Sequence, residues 1–175
     1  LSHLSRTHVD QIVTRMTDGK TLPPEVLVQI VEKTDGVPLF VEEMTKAILE
    51  SGHLQARDGH YELVESLSMF AIPSTLQDSL MARLDRLGPA KEIAQVGATL
   101  GREFSYELLQ EVSLLDEERL QHGLKQLVEA ELVYQSGRPP QATYLFKHAL
   151  VQDTAYQSLL KSRRQQLHQK VAQVL

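Results

Sequence analysis

Three short stretches carry residue types and spacings that could do chemistry. Thr14–Thr21 reads TRMTDGKT and ends in Gly-Lys-Thr, the ending of the loops whose backbone N–H groups and lysine cradle nucleotide phosphates. The complete pattern needs a glycine where Thr14 stands, a strand before the loop and a helix after it. No strand-like run precedes this one, and Pro23 and Pro24 follow it. The residues therefore favour Gly19 as the left-handed end of a preceding helix. Gly36-Val37-Pro38 joins a residue that turns tightly to one that launches a helix at its first position. On spacing alone, any helical hairpin could use that device. His148 follows a strand-like run and opens a helix, a junction from which a side chain can point outward. There its imidazole N–H could donate a hydrogen bond to a ligand. Capping the helix or packing in the core is the other use of a histidine there.

The remaining candidates are weaker. Glu42-Glu43 reads as a solvated helix face, not as paired acids. His3, His8, His53, His60, His122 and His168 lack metal-ligand spacing with acids or with one another and read as surface residues. No Ser/His/Asp set is recognisable from order. Zero Cys removes disulfides, thiol catalysis and cysteine-based zinc sites together, and fits a cytoplasmic setting.

Helical periodicity supplies most of the frame. Val9, Ile12, Val13 and Met16 recur at helical spacing over Thr7–Thr17. Pro23 and Pro24 open a second helix with Val26, Leu27, Ile30 and Val31 on its buried face, stopped by Gly36. Pro38 begins a third, with Phe40, Val41, Met44, Ala47 and Ile48 as the apolar stripe and Glu42, Glu43, Lys46 and Glu50 opposite; Gly52 ends it. Residues 54–64 then alternate around Asp58-Gly59, a hairpin signal. Ser74 and Gln77 have capping-box spacing before a helix that buries Leu76, Leu80, Met81, Leu84 and Leu87. Gly88-Pro89 marks a stop and restart, and the domain boundary is placed there. Helices follow over Pro89–Leu100, Ser105–Val112 and Asp116–Ala130. Two strand-like runs come next, Leu132–Gln135 and Thr143–Lys147, parted by SGRPP. Helices from about Ala149 and about Arg163 continue the chain. Three helices and then a two-stranded ribbon is winged-helix order.

The chain has 175 residues, 42% of them hydrophobic and 5% aromatic, with no Trp, so cores of aliphatic helices are expected. The net charge of −5 supplies no global basic field for nucleic acid. No apolar run approaches the roughly 20 residues of a membrane span, and the first residues hold no signal-peptide core. The absence of an initiator Met, and a last helical pattern that breaks off at QKVAQVL, are expected of a piece cut from a longer protein.

With its flanks, EKTDGVPLFVEEMTKAIL, the Gly36-Val37-Pro38 turn resembles the lid motif of the signal-transduction ATPases with numerous domains (the STAND class, related to the AAA+ ATPases). IPSTLQDSLMARLDRLGPAKEIAQVGATLGREFSYELL resembles the linker of that family into its winged helix. FKHALVQDTAYQSLLKSRRQQLH resembles the end of that domain and the first helix of a tetratricopeptide-like solenoid. The resemblance spans nearly the whole chain. It is nearest to bacterial multidomain proteins that join such an ATPase to an adenylate or guanylate cyclase, a kinase or a DNA-binding domain.

The resemblance implies a mainly α fold in three parts: a helical lid over 1–87 with a hairpin near 54–64, a winged helix over 88–160, and the first solenoid helix over 161–175. It implies that Gly36 and Pro38 pack against the base side of bound ATP or ADP, and that His148 contacts the β-phosphate of ADP to hold a closed state. The family's usual Asp after this histidine is Ala149 here. The P-loop and the acid that holds Mg2+ would lie in an upstream core, so this region alone would not be an enzyme. Partners implied are that core, a downstream solenoid of the same chain, and nucleotide-dependent self-association. The rival expectation is a DNA-binding transcriptional regulator. It is disfavoured because Asp116, Glu117, Glu118 and Glu129 outnumber Arg119 and Lys125 on the third helix of the winged-helix order, and acids repel phosphate. A passive scaffold for solenoid repeats is the third possibility.

Overall fold

The structure is a computed structural model that describes residues 3–64 and 75–174. The chain is mainly helical with two small antiparallel sheets. It divides into two compact units, residues 1–82 and 83–175.

The first unit begins with α1 (Arg6–Met16), α2 (Pro24–Thr34) and α3 (Pro38–Glu50). Proline at the first position of α2 and of α3 gives up an N–H that no helix could use there. The apolar spacing does the rest. Val9 and Val13, Val26 and Ile30, and Val41, Met44 and Ile48 meet in one core, each almost wholly buried. Burial of such side chains stabilises by about 1.5–3 kcal/mol apiece. The hairpin comprises β1 (Leu54–Arg57) and β2 (His60–Leu63), with Arg57 opposite His60 across the Asp58-Gly59 turn.

One expectation fails in α3. Glu43 is not on a solvated face; it is 1% exposed. The helix that follows the hairpin, α4 (Leu76–Arg86), supplies the reason. The buried Ser79 donates its hydroxyl to the Glu43 carbonyl at 3.2 Å, so the start of α4 covers that side of α3. The stripe predicted from apolar residues alone marks only one of two packed faces. Ser74 lies outside the described residues. Thr75 does the capping instead, its hydroxyl accepting from the Asp78 N–H at 3.0 Å.

The units part inside α4, ahead of the boundary expected at Gly88-Pro89. The last turn of α4 is anchored in the second unit: Arg83 is buried and donates from its guanidinium to the Ala130 carbonyl, and Leu84 is fully buried.

The second unit runs α5 (Pro89–Leu100), β3 (Glu103–Ser105), α6 (Tyr106–Ser113), α7 (Glu117–Glu129), β4 (Val133–Ser136), β5 (Thr143–Phe146), α8 (Ala149–Gln157) and α9 (Lys161–Val174). Helix α5 is central and packs against α6, α7, α8 and α9. Two glycines allow it. A Cβ on Gly97 would meet the Phe104 ring, and one on Gly123 would meet Ile93. The sheet order is β3-β5-β4, antiparallel throughout. Expectation held only the β4–β5 ribbon; β3 adds a third strand. Phe104 stacks on Tyr144 at 5.7 Å and tilts against Phe146 at 5.6 Å, closing the sheet onto the core. Helix α9 packs on α5 and α6, and Arg163 pairs with Glu92 at 3.2 Å, so α9 lies within the second compact unit.

Candidate functional site

The Gly-Lys-Thr turn follows α1. The N–H of Gly19 bonds the Thr14 carbonyl at 2.8 Å and that of Asp18 bonds the Arg15 carbonyl at 3.3 Å, the paired closure of a Schellman motif. Asp18 and Gly19 both take positive φ, 53° and 80°, so the left-handed step begins one residue before the glycine. The Lys20 N–H goes to the Thr17 carbonyl at 3.1 Å and the Thr21 N–H to the Gly59 carbonyl at 3.2 Å. Lys20 places its ammonium 5.6 Å from the centre of the Tyr61 ring. A phosphate cradle needs several converging, unused N–H groups at a helix N-terminus. Here the N–H groups of Gly19, Lys20 and Thr21 are all used, and the helix end is a C-terminus.

The second glycine turn joins α2 to α3. Asp35 and Gly36 both take positive φ, 47° and 68°, and the Val37 N–H closes on the Thr34 carbonyl at 2.9 Å. One side of Gly36 is occupied by the chain itself: the Leu4 N–H donates to the Gly36 carbonyl at 2.8 Å. A Cβ on Gly36 would collide with the backbone of Leu4. The His3 ring adds a 3.2 Å contact to the Asp35 carboxylate. Pro38 stays half-buried at the start of α3. Thr34, which its sequence position did not single out, is 1% exposed, and its hydroxyl is sealed without a partner among the described residues.

His148 lies in the second unit, at the N-cap of α8. Its backbone is extended (φ −133°, ψ 145°) and its side chain makes no capping bond. Its carbonyl accepts from the Val151 N–H at 3.1 Å. The ring is half-buried, and Nε2 is sealed from solvent with no partner among the described residues. Asp10 and Thr154 also hold buried oxygens in that state. What distinguishes His148 is the helix end beside it. The first N–H groups of a helix lack intrahelical partners and carry its positive end, and no side chain satisfies them at α8. An anionic oxygen arriving there would meet the helix end, and would reach Nε2 only if the ring turned toward solvent. Helix capping, one of the two structural uses weighed for this histidine, does not occur.

Helix α7 has a different character. Asp116 caps it by accepting from the Arg119 N–H at 2.9 Å. Arg119 pairs with Asp116 at 3.3 Å and Lys125 with Glu129 at 3.7 Å, so both cations are matched within the helix. Glu117 and Glu118 remain exposed. Among the described residues, no group of three or more His, Cys, Asp or Glu side chains could hold a metal ion. No described helix is long and apolar enough to cross a membrane. Of the other histidines, His53 and His60 are half-buried and the rest are exposed.

No protein-family model matches the chain. The chain is similar to an uncharacterized protein of Rhizobium meliloti (strain 1021), 30% identical over 139 residues, or 78% of this chain. The match covers 13% of that protein's length.

Proposed function

We propose that this chain is a nucleotide-sensing regulatory region of a larger signal-transduction ATPase, a lid followed by a winged helix. It reports ADP or ATP to an attached output domain such as a nucleotide cyclase. The observation that carries the reading is His148: an unpartnered, buried imidazole nitrogen beside an uncapped helix N-terminus. A buried polar group without a partner costs about 1–3 kcal/mol, and turning the ring outward onto a phosphate oxygen would remove that cost.

In this reading the phosphates and Mg2+ are gripped by a P-loop core upstream, and the Gly-Lys-Thr of this chain takes no part. Pro38 meets the base side. Gly36 serves by letting the Leu4 backbone lie against the turn, which narrows the role first expected of it. His148 donates to a phosphate oxygen of ADP and favours the closed state. Exchange for ATP removes that preference, releases the winged helix and permits self-association. A differential bond of this kind biases a two-state equilibrium by about 10–100-fold. The order α5-β3-α6-α7-β4-β5 supports the winged-helix reading, and the acidic α7 argues for an intramolecular clamp over a reader of duplex DNA.

The test is calorimetric titration of ADP into the full-length protein and its His148→Ala variant. The variant should bind ADP about 10-fold or more weakly. Equal affinity, with equal basal output, would remove His148 from the account.

A further inference from the structure

The nucleotide reading makes no use of the β1–β2 hairpin. Its turn end touches the connection between α1 and α2 through two backbone bonds. The Thr21 N–H donates to the Gly59 carbonyl at 3.2 Å, and the Tyr61 N–H donates to the Thr21 carbonyl at 2.8 Å. His60 lies between these contacts and bridges to Thr21. The strands have a further hold, since Leu54, Tyr61 and Leu63 pack on the core of the first unit. Asp58 and Gly59 are exposed, so the turn depends more on Thr21.

The His60 ring faces an acceptor with each of its nitrogens. Nδ1 is 3.2 Å from the Asp58 carbonyl oxygen, and Nε2 is 3.0 Å from a Glu62 carboxylate oxygen. A neutral imidazole has one N–H, and its other nitrogen carries a lone pair. It satisfies one of these acceptors and sets a lone pair against the other, whereas the imidazolium donates to both. Asp58 and Glu62 flank the two contacts with Thr21, so a ring that ties them together fixes the backbone carrying those contacts. Glu62, and then the Asp58 carbonyl, hold the ring above its ordinary value of 6.5, in line with that geometry. Three other charged groups surround it. Arg57, opposite His60 on β1, pairs with the second Glu62 oxygen at 3.0 Å. Lys20 lies over the neighbouring Tyr61 ring. Glu25 of α2 lines the same cleft as His60. The two cations oppose the charged ring and Glu25 favours it.

We infer that His60 is a proton-operated latch: as an imidazolium it bridges Asp58 and Glu62 and holds the hairpin turn on Thr21, and as a neutral imidazole it lets that turn loosen. The native state holds this proton more tightly than the unfolded chain, so the latch is closed below pH 6.5 and opens as pH rises through the folded value. The ring is accessible to solvent, which keeps the effect local and modest, as for other exposed charged pairs. The latch is independent of the nucleotide reading and survives its failure.

The experiment is amide hydrogen exchange of the isotopically labelled 175-residue chain, at about pH 5.5 and about pH 8, each corrected for the intrinsic exchange rate. The Thr21 and Tyr61 amides, which make the two latch bonds, should be about 2–5-fold better protected at the lower pH. The Met44 amide, in the core of α3, reports any change in the stability of the whole unit and serves as the reference. His60→Ala should make the protection of Thr21 and Tyr61 relative to Met44 equal at the two pH values. His3, His8 and His53 are still present in that variant, so a lost pH dependence belongs to His60. Glu62→Ala leaves the ring in place, removes the acceptor at Nε2, and should likewise abolish most of the dependence. The spectrum away from the hairpin reports whether each variant keeps its fold. The proposal is overturned if the wild-type protection of Thr21 and Tyr61 relative to Met44 is the same at both pH values, or if either variant keeps the wild-type dependence.

Discussion

The two glycine turns of the first unit look alike in backbone conformation and differ in what surrounds them. Each follows a helix, and each pairs an aspartate with a glycine at positive φ: Asp18-Gly19 after α1, Asp35-Gly36 after α2. Around Gly19 there is open space, with nothing within 4 Å of a Cβ placed there. Around Gly36 the Leu4 backbone fills it. The first turn carries the letters of a phosphate loop, but its N–H groups are consumed by α1 and the hairpin. The second has no such letters, and the Leu4 backbone lies directly against its glycine. Hydrogen-bond accounting, more than composition, separates a turn that ends a helix from a turn that can organise a site.

Substitution of the two glycines should break the likeness. Gly36→Ala adds both a strained φ and a backbone collision, and should cost about 3 kcal/mol, measured by urea unfolding. Gly19→Ala adds only the strained φ and should cost about 1 kcal/mol. Equal losses at the two positions would mean that the Leu4 contact contributes nothing.

Smaller effects sharpen the contrast through titration. Tyr144 has its pKa raised by burial and by Tyr106. A folded-state value above the unfolded 10.0 means the native state holds its proton more tightly, so stability is retained below pH 10 and falls as pH rises through the folded value. Tyr144→Phe should flatten that alkaline loss in thermal unfolding, while leaving neutral-pH behaviour nearly unchanged. His60 lies on the hairpin strand that pins the Gly-Lys-Thr turn, where the Tyr61 N–H bonds the Thr21 carbonyl at 2.8 Å. Its pKa is raised above 6.5 by its hydrogen bond to Glu62, then by the Asp58 carbonyl. The associated stabilisation is present below pH 6.5 and fades as pH rises through the folded value. Glu62→Gln should lower the His60 titration midpoint seen by NMR. An unmoved midpoint would remove that carboxylate as the cause.

Much of the frame was legible because it rests on strong local signals. Pro24, Pro38 and Pro89 open the helices they were expected to open, and Asp58-Gly59 turns the hairpin. What was hidden depends on neighbours distant in sequence. Glu43 is buried by the start of α4, which no periodicity within α3 can reveal. Strand β3 is three residues long with one inward side chain, Phe104, too short to show alternation. The unit boundary falls inside α4, where Arg83 finds the Ala130 carbonyl beyond it. Helix α9 looked like the start of a new region, and the Arg163–Glu92 pair that joins it to α5 could not be read from its own sequence. Of the candidate site, the positions of Gly36, Pro38 and His148 at element ends were readable. The Leu4 backbone against Gly36, the sealed Thr34 hydroxyl and the unpartnered His148 nitrogen were not, since each is a fact of packing.

The central claim is that Pro38 and His148 belong to a nucleotide site completed by a core elsewhere in the protein. Hydrogen–deuterium exchange of the full-length protein, with and without saturating ADP, tests it most directly. The account predicts slower exchange with ADP at the Val37 amide and at the first amides of α8, and a weaker effect at α8 with ATP. Identical exchange at both places in all three states would contradict it.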